Sequence, residues 1–226
     1  MRHCPHDAAV FALALTLLAT TTLSAVPPCP NADQDDATPT RCIGLRIHHA
    51  VELDPATRAW LDLQLSEANR LFAPAELAFT TSMLVPLPEH HREIHTREDR
   101  DELGHDRFAT GTIDVYIVAR LGDVDLPGQE IRGVHWRSQK DRSRRFVIVS
   151  TISPPKVLAH ELGHFFGLPH SRYPESIMNK APRASPPYEQ RRFADRELSR
   201  IKTRAKELLR SGALTTVAPH THPPAP

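Results

Sequence analysis

The sequence predicts a mixed α/β domain, and two observations carry that prediction. The predicted elements run strand, helix, strand, insertion, three strands, helix and helix, an order that suits helices packed against one sheet. A length of 226 residues, with 40% hydrophobic and 24% charged residues, is typical of one globular domain with tails. The formal net charge of +1, with no basic run between aromatic residues, gives no indication of nucleic-acid binding.

Five segments are predicted to be strands because they are short apolar runs or alternate between apolar and polar residues. They cover residues 43–53, 76–85, 112–119, 131–137 and 145–151. A first helix is predicted to reach Phe72, since Asp54 is a capping residue and Pro55 stands in the first turn. Other helices are predicted near residues 96–108, after Ser153 and Pro154, and from Tyr188 to Arg210.

The two ends of the chain differ in composition from a folded domain. Residues 1–25 combine a basic start, an apolar run and a small-residue end, which is the layout of a secretory signal peptide. The run is too short to span a bilayer comfortably, although a retained membrane anchor is the alternative. We therefore expect a secreted protein, extracellular or periplasmic, without stable membrane insertion. Residues 26–41 are a short segment or linker, 42–212 the folded domain, and 213–226 a disordered tail rich in Pro and His.

Three histidines form the most informative pattern in the chain. On a helix, His160 and His164 lie one turn apart on the same face, so one metal ion is within reach of both. Gly167 can take the left-handed conformation that ends a helix, and the reversal brings His170 back as a third ligand. Three protein ligands leave one tetrahedral position open, which is typical of a catalytic zinc site. Glu161 is close enough to contact a water on that metal.

These residue types predict hydrolysis of an amide bond. Zinc lowers the pKa of a bound water toward about 7 and polarises a carbonyl group. Glu161 takes the proton of that water as general base and passes it to the leaving amine. We expect one catalytic zinc ion as the cofactor.

The segment from His160 to His170 reads H-E-x-x-H-x-x-G-x-x-H and resembles the elongated zinc motif of the metzincin metallopeptidases. Met178, in Ser-Ile-Met-Asn, resembles their Met-turn, the hydrophobic floor beneath the metal. The pattern of His170 followed by Ser171, with Met178 eight residues beyond His170, resembles the matrixin branch. Asn179 and Lys180 stand where some metzincins have a tyrosine ligand two residues after the methionine. The resemblance implies a metzincin-like zincin catalytic domain with a twisted, mostly parallel sheet, an antiparallel edge strand, an active-site helix and a C-terminal helix.

By the same resemblance, residues 131–137 are the antiparallel edge strand on which an extended substrate lies. An edge strand has unpaired amides and carbonyls, so a peptide can add to it as one more strand. Gly133, Val134, His135 and Trp136 are the candidate substrate-binding positions. His135 and Trp136 either line a subsite or simply pack and face water.

Two cysteines remain once the signal peptide is removed. Cys29 and Cys42 can form a disulfide that pins the N-terminal segment to the first strand. The alternative is that Cys42 binds the zinc as a thiolate and keeps the enzyme latent, as the cysteine switch of the family does.

A second metal site is a weaker prediction. His90, His91, His95 and His105 lie in a polar insertion, and a solvated segment explains them as well as a structural zinc does. The turn at residues 122–128 contains aspartates that could bind calcium, but it lacks the twelve-residue calcium loop.

The sequence thus predicts a secreted zinc-dependent endopeptidase whose partner is a protein or peptide substrate, with no indication of oligomeric state. Two alternatives stay open. One is a non-catalytic zinc-binding or inhibitory module with the same fold. The other is a zinc amidohydrolase that acts on a non-peptide substrate.

Overall fold

The computed structural model describes residues 40–181 and 186–217. Its strands are β1 (Arg41–His49), β2 (Leu77–Pro86), β3 (Glu93–Ile94), β4 (Ile113–Val118), β5 (Arg120–Leu121), β6 (Gly133–Arg137) and β7 (Arg145–Ser150). Its α-helices are α1 (Pro55–Phe72), α2 (Arg97–Leu103), α3 (Val157–Phe165) and α4 (Asp195–Arg210). The predicted signal peptide lies outside the described residues, and so does Cys29. Within the described ranges, no helix is long and apolar enough to cross a membrane.

A five-stranded sheet forms the centre of the fold, with the strand order β2-β1-β4-β7-β6. The strands β2, β1, β4 and β7 run parallel to one another, whereas the edge strand β6 runs antiparallel to β7. The short strands β3 and β5 form a separate parallel pair that the sequence patterns did not indicate. The predicted mixed α/β fold, with a mostly parallel sheet and an antiparallel edge strand, is confirmed.

Alternate residues of β4 enter two apolar cores on opposite faces of the sheet, as the period of a strand requires. Val115 and Ile117 belong to the larger core, which includes buried residues of α1, α3 and α4. Tyr116 and Val118 belong to the smaller core, which includes Leu103 at the end of α2. The larger core holds α3 against the sheet, where it contacts β6 and β7.

The first helix forms where the capping pattern predicts it. α1 begins at Pro55, and the Asp54 side chain accepts a hydrogen bond from the Thr57 amide over 2.7 Å. The helix near residues 96–108 is shorter than expected, since α2 ends at Leu103. Its start has a capping box, in which the Thr96 hydroxyl accepts a hydrogen bond from the Asp99 amide and the Asp99 carboxylate accepts one from the Thr96 amide.

The starts predicted for the two later helices are wrong. α3 begins at Val157 and not at Ser153, because Lys156 has a φ of +79°, a left-handed conformation that interrupts any helix before it. The Ser153 hydroxyl instead donates to the Arg132 carbonyl. α4 begins at Asp195 and not at Tyr188. Residues 188–190 form a separate 3-10 turn, and the backbone is extended at Arg191, between that turn and α4.

The prediction of a disordered tail from residue 213 is wrong for residues 213–217. Leu214 is buried and bridges to Gly111, and Thr216 bridges in antiparallel fashion to Ile43 of β1. The Val217 amide donates to the carbonyl of Cys42 over 2.9 Å. This stretch therefore adds to the folded domain, and residues 218–226 lie outside the described part of the chain.

Candidate metal centre

The three histidines of the zinc motif converge on one point. His160 and His164 project from the same side of α3, and their Nε2 atoms are 3.1 Å apart. Gly167 follows the helix with a φ of +88°, the left-handed conformation predicted for it, and the chain turns back. His170 returns with its Nε2 atom 3.2 Å from Nε2 of His164. The structure thus brings together all three predicted ligands.

The hydrogen bonds of two rings show which nitrogen is free to bind a metal. Nδ1 of His160 is 2.8 Å from the Ile177 carbonyl, and Nδ1 of His164 is 2.7 Å from the Leu168 carbonyl. A carbonyl can only accept, so in the neutral rings both Nδ1 atoms carry the proton and both Nε2 atoms are left as acceptors. Two acceptor lone pairs that face each other over 3.1 Å repel. A cation between them converts that repulsion into ligation.

The surroundings keep these imidazoles neutral, as metal ligands must be. Burial lowers the pKa of His160 to about 4, and the neighbouring His164 adds to that shift. Burial also lowers the pKa of His170 to about 4 and the pKa of His164 below its ordinary value. The spacing fits zinc as well, since Zn–N bonds of about 2.0–2.1 Å in a tetrahedron put the nitrogens about 3.3 Å apart. The donor set therefore suits one zinc ion with one open position.

Glu161 faces the same cleft from the next position of α3. Its side chain is only 6% exposed, and its carboxylate accepts a hydrogen bond from the His135 amide of β6. Burial raises the pKa of Glu161 to about 8, although that hydrogen bond acts in the opposite direction. A Cβ atom at Gly133 would lie 2.9 Å from Cγ of Glu161. The edge strand β6 and the helix α3 therefore approach each other so closely that a residue with a Cβ atom at position 133 would force Glu161 or the strand to move.

Met178 lies directly beneath α3. Its side chain is fully buried, and a Cβ atom at Gly163 would be 2.8 Å from its sulfur and 3.1 Å from the ring of Phe193. The turn is fixed from α4, since the Ser176 hydroxyl donates to the buried Glu197 carboxylate over 2.7 Å and accepts from the Met178 amide over 2.9 Å.

The candidate substrate positions on β6 separate into two sets. Gly133, Val134 and His135 line a cleft of about 660 Å³ that also contains the three histidines and Glu161. Trp136 does not line it, because alternate residues of a strand face opposite sides. It lies in the smaller core, where its Nε1 donates to Asp101 over 2.8 Å. Of the two alternatives for Trp136, packing is therefore the correct one.

Several residues of the cleft were not found by sequence reasoning. They are Arg100, Val157, Ile177, Lys180 and Tyr188. They come from four separate stretches of the chain, and no spacing pattern connects them. Only Lys180 had a local signal, its position two residues after Met178.

One wall of the cleft is fastened by a buried lysine. The Lys156 ammonium, at the start of α3, donates to the carbonyls of Tyr188, Glu189 and Arg191. It also lies 5.4 Å from the centre of the Tyr188 ring. These contacts connect the helix that carries the histidines to the segment after the Met-turn.

The histidines of the insertion do not form one site. His90, His91 and Glu102 have ligand atoms within 4.8 Å of one another, but His90 and Glu102 are exposed. His95 instead lies 3.3 Å from Glu93, and His105 pairs with its neighbour Asp106. Nε2 of His90 is 3.9 Å from the Glu102 carboxylate, farther than the 3.1 Å and 3.2 Å that separate Nε2 of His164 from Nε2 of His160 and of His170.

Cys42 lies in β1, is 5% exposed and takes part in a disulfide bond. A cysteine in a disulfide cannot act as a zinc-binding thiolate, so the latency alternative for Cys42 does not hold. Its predicted partner, Cys29, lies outside the described residues, and that pairing stays a prediction.

Comparisons with known proteins agree with the motif and the fold. The matrixin family model matches residues 91–198, which include α3 and all three histidines. Archaemetzincin from Methanopyrus kandleri is similar in structure, with 17% identity, a TM-score of 0.49, and coverage of 73% of this chain and 96% of that one. Metalloproteinase-II from Bacteroides fragilis has 13% identity and a TM-score of 0.50, with 81% of this chain covered. This chain spans only 59% of that protein, and the likeness shows the fold alone. No curated protein matches the sequence.

Proposed function

We propose that the chain is a metzincin-type zinc peptidase, as the matrixin family model over residues 91–198 supports, and that it is a secreted endopeptidase with Glu161 as general base. One observation carries the proposal. The three converging Nε2 atoms and the Glu161 carboxylate open into the same cleft beside the edge strand β6.

In this proposal, His160, His164 and His170 hold the zinc. Their second ring nitrogens support the ligand role, since those of His160 and His164 are fixed by backbone carbonyls. A bound zinc supplies a reactive water and polarises the substrate carbonyl. The two backbone carbonyls orient the free lone pairs of His160 and His164 before any metal arrives.

The edge strand would hold the substrate. β6 pairs with β7 on one side only, and no described strand lies along its other side. An extended peptide can hydrogen-bond to that side as an added strand, which gives affinity through its main chain. The reactive carbonyl then lies over the three histidines, because Gly133 of β6 is in close contact with Glu161.

Glu161 would move the proton. It takes a proton from the attacking water and passes it to the leaving nitrogen when the C–N bond breaks. The dry surroundings that raise its pKa make the Glu161 carboxylate a stronger base, which favours uptake of the water proton and its retention until the C–N bond breaks. A pure zinc-binding module would have no use for a buried base beside the metal ligands. This argues against the non-catalytic alternative.

Secretion is proposed from the sequence of residues 1–25 alone. N-terminal sequencing of the mature protein, recovered from periplasm or medium, tests it. A mature N-terminus near residue 26 supports export, and an intact Met1 in the cell interior contradicts it.

The activity is tested with a quenched peptide library on wild type, Glu161→Gln and a control, Glu52→Gln, whose side chain is exposed. We expect wild type and control to cleave, and all three proteins to hold about one zinc. Glu161→Gln should lose at least about a hundredfold in rate. If zinc is bound and wild type cleaves no peptide, the endopeptidase proposal fails. A library of non-peptide amides then tests the amidohydrolase alternative.

A further inference from the structure

Lys180 is a cation of the cleft that the mechanism above does not use. Its side chain is exposed, and it lines the cleft together with the three histidines and Glu161. Its charge also lowers the pKa of all four of those groups. Within residues 40–181 and 186–217, its side chain makes no hydrogen bond and no ion pair.

The backbone that carries Lys180 is fixed on both sides. Asn179 is 8% exposed, and its side-chain amide donates to the Tyr173 carbonyl over 2.9 Å. Its side-chain oxygen accepts from the Ala181 amide over 2.8 Å, which closes a tight turn around Lys180. The Arg191 guanidinium also reaches the Asn179 carbonyl. The turn thus holds the Cα atom of Lys180 in place and leaves its long side chain free to reach a ligand.

The other charged groups of the cleft do not neutralise this lysine. Asp125 is paired with Arg97, and Asp123 accepts hydrogen bonds from the amides of Asp125 and Leu126. Glu161 is buried and held by the His135 amide. An exposed ammonium that lines the cleft and has no partner among the described residues is available for a negative charge that arises during the reaction.

We propose that the Lys180 ammonium stabilises the oxyanion that forms on the reactive carbonyl, which makes Lys180 a further catalytic residue. The inference rests on the proposed peptidase function. When water adds to the carbonyl carbon, a C–O bond forms and the carbonyl π electrons move to the oxygen, while Glu161 takes the water proton. Lys180 donates a hydrogen bond to that oxygen. As the C–N bond breaks, the electron pair returns to re-form the carbonyl, and the proton on Glu161 goes to the leaving nitrogen. Lys180 ends the cycle with all its protons.

The expected change in kcat follows from the effect of oxyanion donors in other enzymes. A single donor to a developing oxyanion contributes about a hundredfold to a thousandfold in kcat, because it acts where charge grows and not on the ground state. Binding of the uncharged substrate should change little. The signature is therefore a fall in kcat with a nearly constant KM.

The test compares Lys180→Ala and Lys180→Arg with wild type and with Lys140→Ala, which removes an exposed lysine outside the cleft. The substrate is a peptide with blocked ends and no acidic side chains. We expect Lys180→Ala to lose about a hundredfold in kcat with KM within about threefold and one zinc retained. Lys180→Arg should recover part of kcat, and Lys140→Ala should match wild type.

A second readout does not depend on turnover. A phosphinic peptide, whose tetrahedral anion resembles the oxyanion, should bind Lys180→Ala about a hundredfold more weakly than wild type in calorimetry. An unchanged kcat and an unchanged phosphinic affinity in Lys180→Ala would overturn the inference. A loss seen only in KM, and only with acidic or free-carboxylate substrates, would overturn it too and make Lys180 a specificity residue. If wild type itself cleaves nothing, the proposed function fails first.

Discussion

Replacing Gly133 by Ala tests how tightly the edge strand fixes the proposed base. A Cβ atom at this position would lie 2.7 Å from Cγ1 of Val157, 2.9 Å from Cγ of Glu161 and 3.1 Å from its Oε1. The two carbon contacts are 0.7 Å and 0.5 Å short of the 3.4 Å at which ordinary van der Waals contact begins. Since both partners belong to α3, either the helix or the strand must move.

Two magnitudes follow from that geometry. Overpacking of this kind lowers the free energy of unfolding by about 1–3 kcal/mol. Alanine also reduces the conformational entropy of the unfolded chain, which raises the free energy of unfolding by about 0.4–1 kcal/mol. A displacement of about half an ångström at a proton-transferring group is expected to lower kcat about tenfold to a hundredfold, given that a shift of about 1 Å costs about a hundredfold. Zinc content should not change, because the three histidines do not contact Gly133.

The assay combines urea unfolding, zinc content and peptide cleavage, and Gly104→Ala is the matched control. A Cβ atom at Gly104 would lie 2.4 Å from the Phe146 ring, so it overpacks the smaller core, and neither residue lines the cleft. We expect both variants to lose stability and only Gly133→Ala to lose kcat. Full kcat in Gly133→Ala, or an equal loss in Gly104→Ala, would refute the reasoning.

Two further outcomes follow from the same contacts. Gly163→Ala should lower stability by about 1–3 kcal/mol in urea unfolding, because its methyl group meets the sulfur of Met178 at 2.8 Å. A gain in stability, as helix propensity alone would give, would show that the Met-turn adjusts freely. In zinc-free Glu161→Gln protein, the free energy of unfolding should fall as pH drops from about 6.5 to about 4. The pKa values of His160 and His170 are about 4 when folded, so the unfolded chain binds more protons in that range. The measurement is urea unfolding at several pH values, and a free energy of unfolding that does not change with pH would contradict this prediction.

The metal centre could be predicted from the sequence because its geometry is local. His160 and His164 are one helical turn apart, and Gly167 has the positive φ that its residue type permits. Short-range rules of helix geometry are sufficient for such a pattern. The same holds for α1, whose start at Pro55 follows from the cap at Asp54.

The errors arose where distant parts of the chain decide the outcome. Ser153 looks like a helix cap, but its carbonyl accepts from the Trp60 indole and its hydroxyl donates to the Arg132 carbonyl. Trp136 lies on β6, whose side chains alternate between two faces of the sheet. The sequence alone does not show that the face of Trp136 packs in the smaller core. Leu214 was placed in a tail by its polar and Pro-rich neighbourhood, although it is buried beside Gly111.

The most direct test of the proposed zinc peptidase activity is reconstitution from the metal-free protein. The mature chain is stripped with a chelator, zinc is added back in known amounts, and peptide cleavage is followed beside His164→Ala. We expect activity to rise in proportion to zinc up to one ion per chain, and to stay at background in His164→Ala. Cleavage that survives complete removal of the metal, or one bound zinc per chain with no cleavage of any peptide, would contradict the account.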